Sequence, residues 1–200
     1  ENRNSAEADD LTPFVYGAAG FIPVAGDWNF DGTDSVGVFD PTTAAFYLRN
    51  TNDSGVADAG QFIFGRPGWI PLAGDWDGDG HDGIGVYDPE TATFYLRNSL
   101  SAGSPDIEPF NFGMPGWKPI AGDWDDDGIV TVGVYNPDTA TFFLKNSNST
   151  GVADITPFNH GGAGWEPIVG DWNTSRAALT KAIPLPGGLW TSPVQFAPPI

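Results

Sequence analysis

Short segments in which apolar and polar residues alternate run along the chain, each closed by glycine, proline, aspartate or asparagine. Residues 71–76, 83–88, 93–98 and 109–113 are examples, rich in aromatic and β-branched side chains. Alternation of this kind sends successive side chains to opposite faces and predicts four β-strands in succession. The turn between the second and third strands reads Asp40-Pro41-Thr42-Thr43, Asp88-Pro89-Glu90-Thr91 or Asn136-Pro137-Asp138-Thr139. Proline presets φ at the second position and the Asx residue bonds to the main chain ahead of it, so these turns are tight hairpins. The third strand carries Phe46-Tyr47-Leu48-Arg49 or its counterparts at 94–97 and 142–145, and it ends in asparagine as the chain enters a loop.

The whole pattern recurs. Four Gly-Asp-Trp triplets place aspartates at Asp27, Asp75, Asp123 and Asp171, a spacing of 48 residues without insertion or deletion. Phe14, Phe62, Phe110 and Phe158 keep the same phase, as do Gly17, Gly65, Gly113 and Gly161. Four-stranded units at this period predict an all-β chain folded as a four-bladed β-propeller built from 48-residue repeats, since a β-solenoid coil would be shorter. The expected divisions are an N-terminal arm with an orphan fourth strand (1–20), three blades (21–68, 69–116 and 117–164), and a degenerate blade without its own fourth strand (165–200). The arm then either closes its own ring or pairs with the incomplete last blade of another copy. Strand donation of the second kind joins chains head to tail into a filament.

Composition narrows the function classes. Of 200 residues, 26 are acidic and 8 basic, and the formal net charge of -18 repels phosphate and anionic lipid, which argues against nucleic-acid binding and membrane insertion. With 27 glycines and 18 prolines the chain is too heavily punctuated for a helical bundle. Cysteine is absent, so disulfides, thiolate metal sites and cysteine nucleophiles are excluded. The polar start Glu1-Asn2-Arg3-Asn4 lacks the basic and apolar regions of a signal peptide, so a secreted protein would be present here in mature form.

The most specific chemistry begins at the aspartate of each triplet. The loops read Asp27-Trp28-Asn29-Phe30-Asp31-Gly32-Thr33-Asp34, then Asp75-Trp76-Asp77-Gly78-Asp79-Gly80-His81-Asp82, then Asp123-Trp124-Asp125-Asp126-Asp127-Gly128-Ile129. Oxygens at positions one, three and five followed by glycine at six allow a short loop to curl around Ca²⁺. Position seven (Thr33, His81, Ile129) would offer its carbonyl, and position eight adds acid as Asp34 and Asp82 but not in the third copy. Two to three calcium sites are therefore expected, the third weakest. The fourth copy, Asp171-Trp172-Asn173-Thr174-Ser175-Arg176, lacks the central acid and glycine and is expected to be empty. A series of Asx turns bonding only to their own backbone is the alternative.

These loops and their period resemble the FG-GAP/VCBS type of calcium-binding β-propeller repeat. The resemblance covers nearly the whole chain and implies propeller architecture with structural calcium, without implying one activity. The family's pattern has an acid or amide at position nine, where this chain has Ser35, Gly83 or Thr131.

No catalytic constellation accompanies the loops. His81 lies in a calcium loop, His160 shares the phase of Tyr16, Phe64 and Phe112, and neither has a serine partner in a recognisable motif. A non-enzyme is expected. Trp69, Trp117 and Trp165 recur in phase and are read as packing between repeats, while Arg49, Arg97 and Lys145 are expected to lie solvated or in weak surface pairs. Asn52, Asn148 and Asn173 begin N-glycosylation triplets, two of them in a loop expected to be exposed. The resulting expectation is an extracellular or cell-surface scaffold that self-associates through residues 1–20; the alternative is a monomeric propeller taking a glycan or protein ligand.

Overall fold

Turn chemistry fixes where each strand ends in the computed structural model, which describes residues 12–170. Residues 1–11 of the expected arm, the loop at Asp171, Asn173 and most of the expected last blade lie outside the described residues. Twelve strands follow in order: β1 (Ile22–Gly26), β2 (Ser35–Asp40), β3 (Ala45–Leu48), β4 (Gly60–Ile63), β5 (Ile70–Gly74), β6 (Gly83–Asp88), β7 (Thr93–Arg97), β8 (Phe110–Asn111), β9 (Lys118–Gly122), β10 (Thr131–Asn136), β11 (Thr141–Leu144) and β12 (Ile155–Asn159). They form three four-stranded sheets in which every strand pairs antiparallel with its neighbour in sequence. Each sheet lies within one 48-residue period, and the described residues contain no helix.

The hairpin after β2 shows how the sequence imposes this. Asp40 Oδ1 accepts from Thr42 N–H at 2.8 Å and Thr42 Oγ1 at 2.7 Å, and Oδ2 accepts from Thr43 Oγ1 at 2.7 Å. These bonds hold the Asp40 carboxyl below its ordinary range. Ala44 then takes φ 58°, the left-handed step that returns the chain into β3, and Ala92 and Ala140 repeat it at 55° and 52°. The register of the hairpins pairs Phe39 with Phe46, Tyr87 with Phe94 and Tyr135 with Phe142. The fourth strand of the second sheet, Phe110–Asn111, is shorter than its sequence suggests, although β12 carries Pro157 in the phase of Pro109 and runs five residues.

Packing between sheets uses one recipe twice. Phe39, Phe46 and Phe64 of the first sheet bury against Ile84 and Val86 of the second. Tyr87, Phe94, Phe110 and Phe112 of the second bury against Val132 and Val134 of the third. The second strand carries glycine at its centre, and at Gly85 an added Cβ would lie 2.7 Å from Leu96 Cδ2. Within this unit (Pro13–Pro167), β1 runs beside β5 and β5 beside β9. Main-chain bonds tie these first strands and their loops together: Asp82 N–H donates to Asp27 O at 3.1 Å, and Val130 N–H to Asp75 O at 2.7 Å.

Residues 12–17, expected as an orphan fourth strand, pair with no strand among the described residues. They nevertheless sit as the end of a fourth strand does. Gly17 lies against Val38 as Gly65 lies against Val86 and Gly113 against Val134.

Candidate metal centre

Among the described residues, Asp27, Asp75 and Asp123 each directly follow a first strand, and each carboxylate gathers the backbone of the loop beyond it. Asp75 Oδ1 accepts from Gly78 N–H at 2.7 Å and Asp79 N–H at 3.1 Å, while Oδ2 accepts from Gly80 N–H at 2.7 Å. Asp27 takes Asp31 and Gly32 in the same way, and Asp123 takes Asp127 and Gly128. Position six needs φ of 81° to 90°, which is why Gly32, Gly80 and Gly128 stand there. Position five holds position seven, two residues on: Asp31, Asp79 and Asp127 accept from Thr33, His81 and Ile129 N–H at 2.9, 2.8 and 2.8 Å. Asx turns are thus present, and they bend the loop so that its acids converge.

Convergence is what a cation requires. Asp75, Asp77 and Asp79 each offer an oxygen within 4.8 Å of the others, and Asp123, Asp125 and Asp127 do the same. Such clusters can hold a metal ion. The third loop, expected to be weakest, is assembled like the second. In the first loop the middle position is an amide, and Asn29 Nδ2 donates to Asp31 Oδ2 at 3.0 Å. Crowding has an electrostatic mark: desolvation, then the charges of Asp79 and Asp75, push the Asp77 carboxyl above its ordinary value.

Position eight behaves differently from the sequence expectation. Asp82 Oδ2 accepts the N–H of Asp27 at 2.8 Å, across to the first sheet, instead of joining Asp75, Asp77 and Asp79. Burial, reinforced by the charges of Asp34, Asp75 and Asp27, raises its carboxyl from 3.8 to about 6. Asp34 is likewise raised, first by desolvation and then by Asp27. The side chains at position seven also have separate work. His81 stacks on Phe30 with ring centroids 4.7 Å apart, its Nδ1 3.5 Å from Asp79 Oδ1, and Ile129 packs against Gly78.

A raised carboxyl has a definite sign for stability. Between about pH 4 and 6 the folded Asp82 keeps a proton that the unfolded one has released, so its contribution to stability falls as pH rises through that window. In chelator at pH 7, Asp82→Asn keeps an acceptor for Asp27 N–H and removes the charge, and is expected to stabilise by about 1–2 kcal/mol. Thermal melts of both proteins from pH 3 to 8 check this; the gain should vanish below about pH 4.

Arg49, Arg97 and Lys145, expected to pair with neighbouring acids or lie solvated, do pair with acids, and their side chains are largely buried as well. Arg97 gives Nε to Ser101 O at 2.9 Å, reaches Ser104 O through Nη1, and pairs with Asp106 at 3.4 Å. Arg49 gives Nη1 to Val56 O at 2.7 Å and pairs with Asp53. Lys145, with 4% of its side chain exposed, donates to Val152 O at 3.0 Å and stands 5.7 Å from the Phe112 ring. Each cation is the post around which the loop after the third strand is wound. Their common phase is the available signal. Lys145→Met should therefore destabilise by about 1.5–3 kcal/mol, measured by denaturant unfolding, where a solvated lysine would cost almost nothing.

The sequon side chains are engaged as well. Asn52 and Asn148 donate Nδ2, the atom a glycan would occupy, to Asp34 O and Val130 O, each at 3.0 Å. Trp69 and Trp117 spend a face on Tyr95 and Phe143, at 4.5 and 4.7 Å, and Trp165 remains 44% exposed. His160 is exposed, its N–H on Ala140 O at 3.0 Å.

Comparison with protein-family models, curated proteins and solved structures finds no match to this chain. The capacity of the loops rests on their own chemistry. Carboxylates, amides and carbonyls are hard oxygen donors, suited to Ca²⁺, and among the described residues neither cluster contains nitrogen or sulfur ligands.

Proposed function

We infer that the chain is a non-enzymatic scaffold: a calcium-stabilised β-propeller of 48-residue blades, acting outside the cell as a structural or assembly module. The observation that carries this reading is the repeated join between sheets. First strands run side by side, each loop bonds across to its neighbour, and acid clusters recur at that join. Radial repetition of four-stranded sheets uses this arrangement, and cations at the join would lock one blade to the next. The resemblance of the loops to FG-GAP/VCBS repeats supports the same reading.

Assembly is the role the arm suggests. Residues 13–17 lie against the first sheet as the end of a fourth strand does, Gly17 on Val38, and pair with no strand among the described residues. Pairing with another copy would join subunits head to tail. Electron microscopy in millimolar Ca²⁺, comparing the intact chain with one lacking residues 1–20, tests it. Filaments from the intact chain alone support assembly by strand donation; single particles from both remove it and leave a self-contained module. The glycan-binding reading gains less support, because Trp69 and Trp117 have already spent a face on their own sheets.

A further inference from the structure

The second loop draws Asp75, Asp77 and Asp79 together but gives Asp82 to the neighbouring sheet. Calcium takes roughly six to eight oxygens. If calcium is the ion, as the proposed function holds and as the present inference requires, the loop needs an oxygen from elsewhere. Asn98, just past the end of β7, stands beside it. Its Nδ2 donates to Asp77 Oδ2 at 2.5 Å, and its Oδ1 is sealed from solvent with no hydrogen-bond partner. A sealed, unpaired amide oxygen is costly in a folded protein and calls for a partner of opposite charge. Both atoms belong to one planar amide, so the unpaired oxygen lies at the rim of the same carboxylate cluster.

The amide is also held in place from behind. Asn98 N–H donates to Asp106 Oδ2 at 3.0 Å, and Asp106 pairs with the sealed Arg97. Asn50 occupies the same phase in the first repeat, with its N–H on Asp58 Oδ1 at 2.9 Å and its Oδ1 likewise sealed and unpaired. In the third repeat Asn146 keeps the main-chain bond, to Asp154 at 2.9 Å, but is exposed, and no hydrogen bond joins it to Asp125 among the described residues.

We propose that Asn98 Oδ1 closes the oxygen shell of the cation in the second loop while Nδ2 fixes Asp77. In the third repeat the sealed, unpaired amide oxygen belongs instead to Asn148, whose Nδ2 donates to Val130 O at 3.0 Å. Calcium titration calorimetry on the full chain, with melting temperatures in calcium and in chelator, tests the assignment on Asn98→Ala, Asn98→Asp and Asn146→Ala. Asn98→Ala should weaken one class of site by about 10–100-fold, with its melting temperature in chelator no lower than that of the wild type. Asn146→Ala should leave the titration unchanged. Asn98→Asp, which sets a further carboxylate beside Asp77, should melt lower than wild type in chelator and recover in calcium. Wild-type affinity in Asn98→Ala overturns the proposal. So does an equal fall of its melting temperature in both media, the mark of a plain structural peg. A wild-type chain that takes up no calcium removes the calcium reading itself, and the proposal with it.

Discussion

Removing calcium is expected to lower the melting temperature by about 10–20 °C. A ligand that binds only the folded state adds about 2.7 kcal/mol at a hundredfold excess over its Kd, so two loops contribute about 5 kcal/mol. A domain near 200 residues shifts by about 2–4 °C per kcal/mol. The carboxylates give the reason to expect this: Asp75, Asp77 and Asp79 converge within 4.8 Å, and desolvation, then the charges of Asp79 and Asp75, raise the Asp77 carboxyl above its ordinary value. In chelator their repulsion should oppose folding, and a bound Ca²⁺ would both remove it and crosslink the loop. Differential scanning calorimetry with and without chelator reads the shift. A melting temperature indifferent to calcium would leave the loops as Asx turns and nothing more.

Asp75→Ala should be the most damaging single carboxylate change, at about 3–5 kcal/mol, and most of that loss should persist in chelator. The side chain is buried and accepts three backbone N–H groups, from Gly78, Asp79 and Gly80. Its loss leaves donors of a tight loop without partners, each costing about 1–3 kcal/mol where water cannot replace it. The same residue's carbonyl takes Val130 N–H, so a disordered loop also loosens the third sheet from the second. Asp79→Ala should differ in kind. Asp79 is exposed and accepts one backbone N–H, from His81, where Asp75 accepts three, so its loss should be visible in calcium and small in chelator. Comparing the two variants in both media separates the acid that shapes the loop from the acid that holds the ion. Asp79→Ala should also cost more than Asp171→Ala, whose loop lacks the central acid and glycine.

Most of the strand order is legible because the chain says the same thing several times. Asp40, Asp88 and Asn136 each start the same hairpin, and Gly32, Gly80 and Gly128 each mark the same left-handed step. The convergence of acids in the second and third loops is equally visible in their spacing. Relations between repeats are not. Asp82 sits in its own loop by sequence yet bonds to Asp27, 55 residues away, because adjacent first strands bring the loops edge to edge. Arg97 reads as a surface cation since its partners are mostly backbone carbonyls of Ser101 and Ser104, which no residue code announces. Asn98 reads only as the end of a strand; its nearness to Asp77 depends on two loops leaving the same end of one sheet.

The bond that joins neighbouring sheets uses only main chain at Asp82 N–H and Val130 N–H, with Asp27 O and Asp75 O as acceptors. An aspartate and a valine therefore serve the main-chain bond equally well, and the first join carries in addition the Asp82 carboxylate on Asp27 N–H. Excising residues 69–116 as one whole period would bring Val130 opposite Asp27 with the main-chain donor and acceptor still matched, at the loss of the Asp82 acceptor for Asp27 N–H. Duplicating a period would likewise create another junction of the same kind. The number of units is thus set by what terminates the array, not by the seam between its members, and such a gene could lengthen or shorten by whole periods without inventing a new contact.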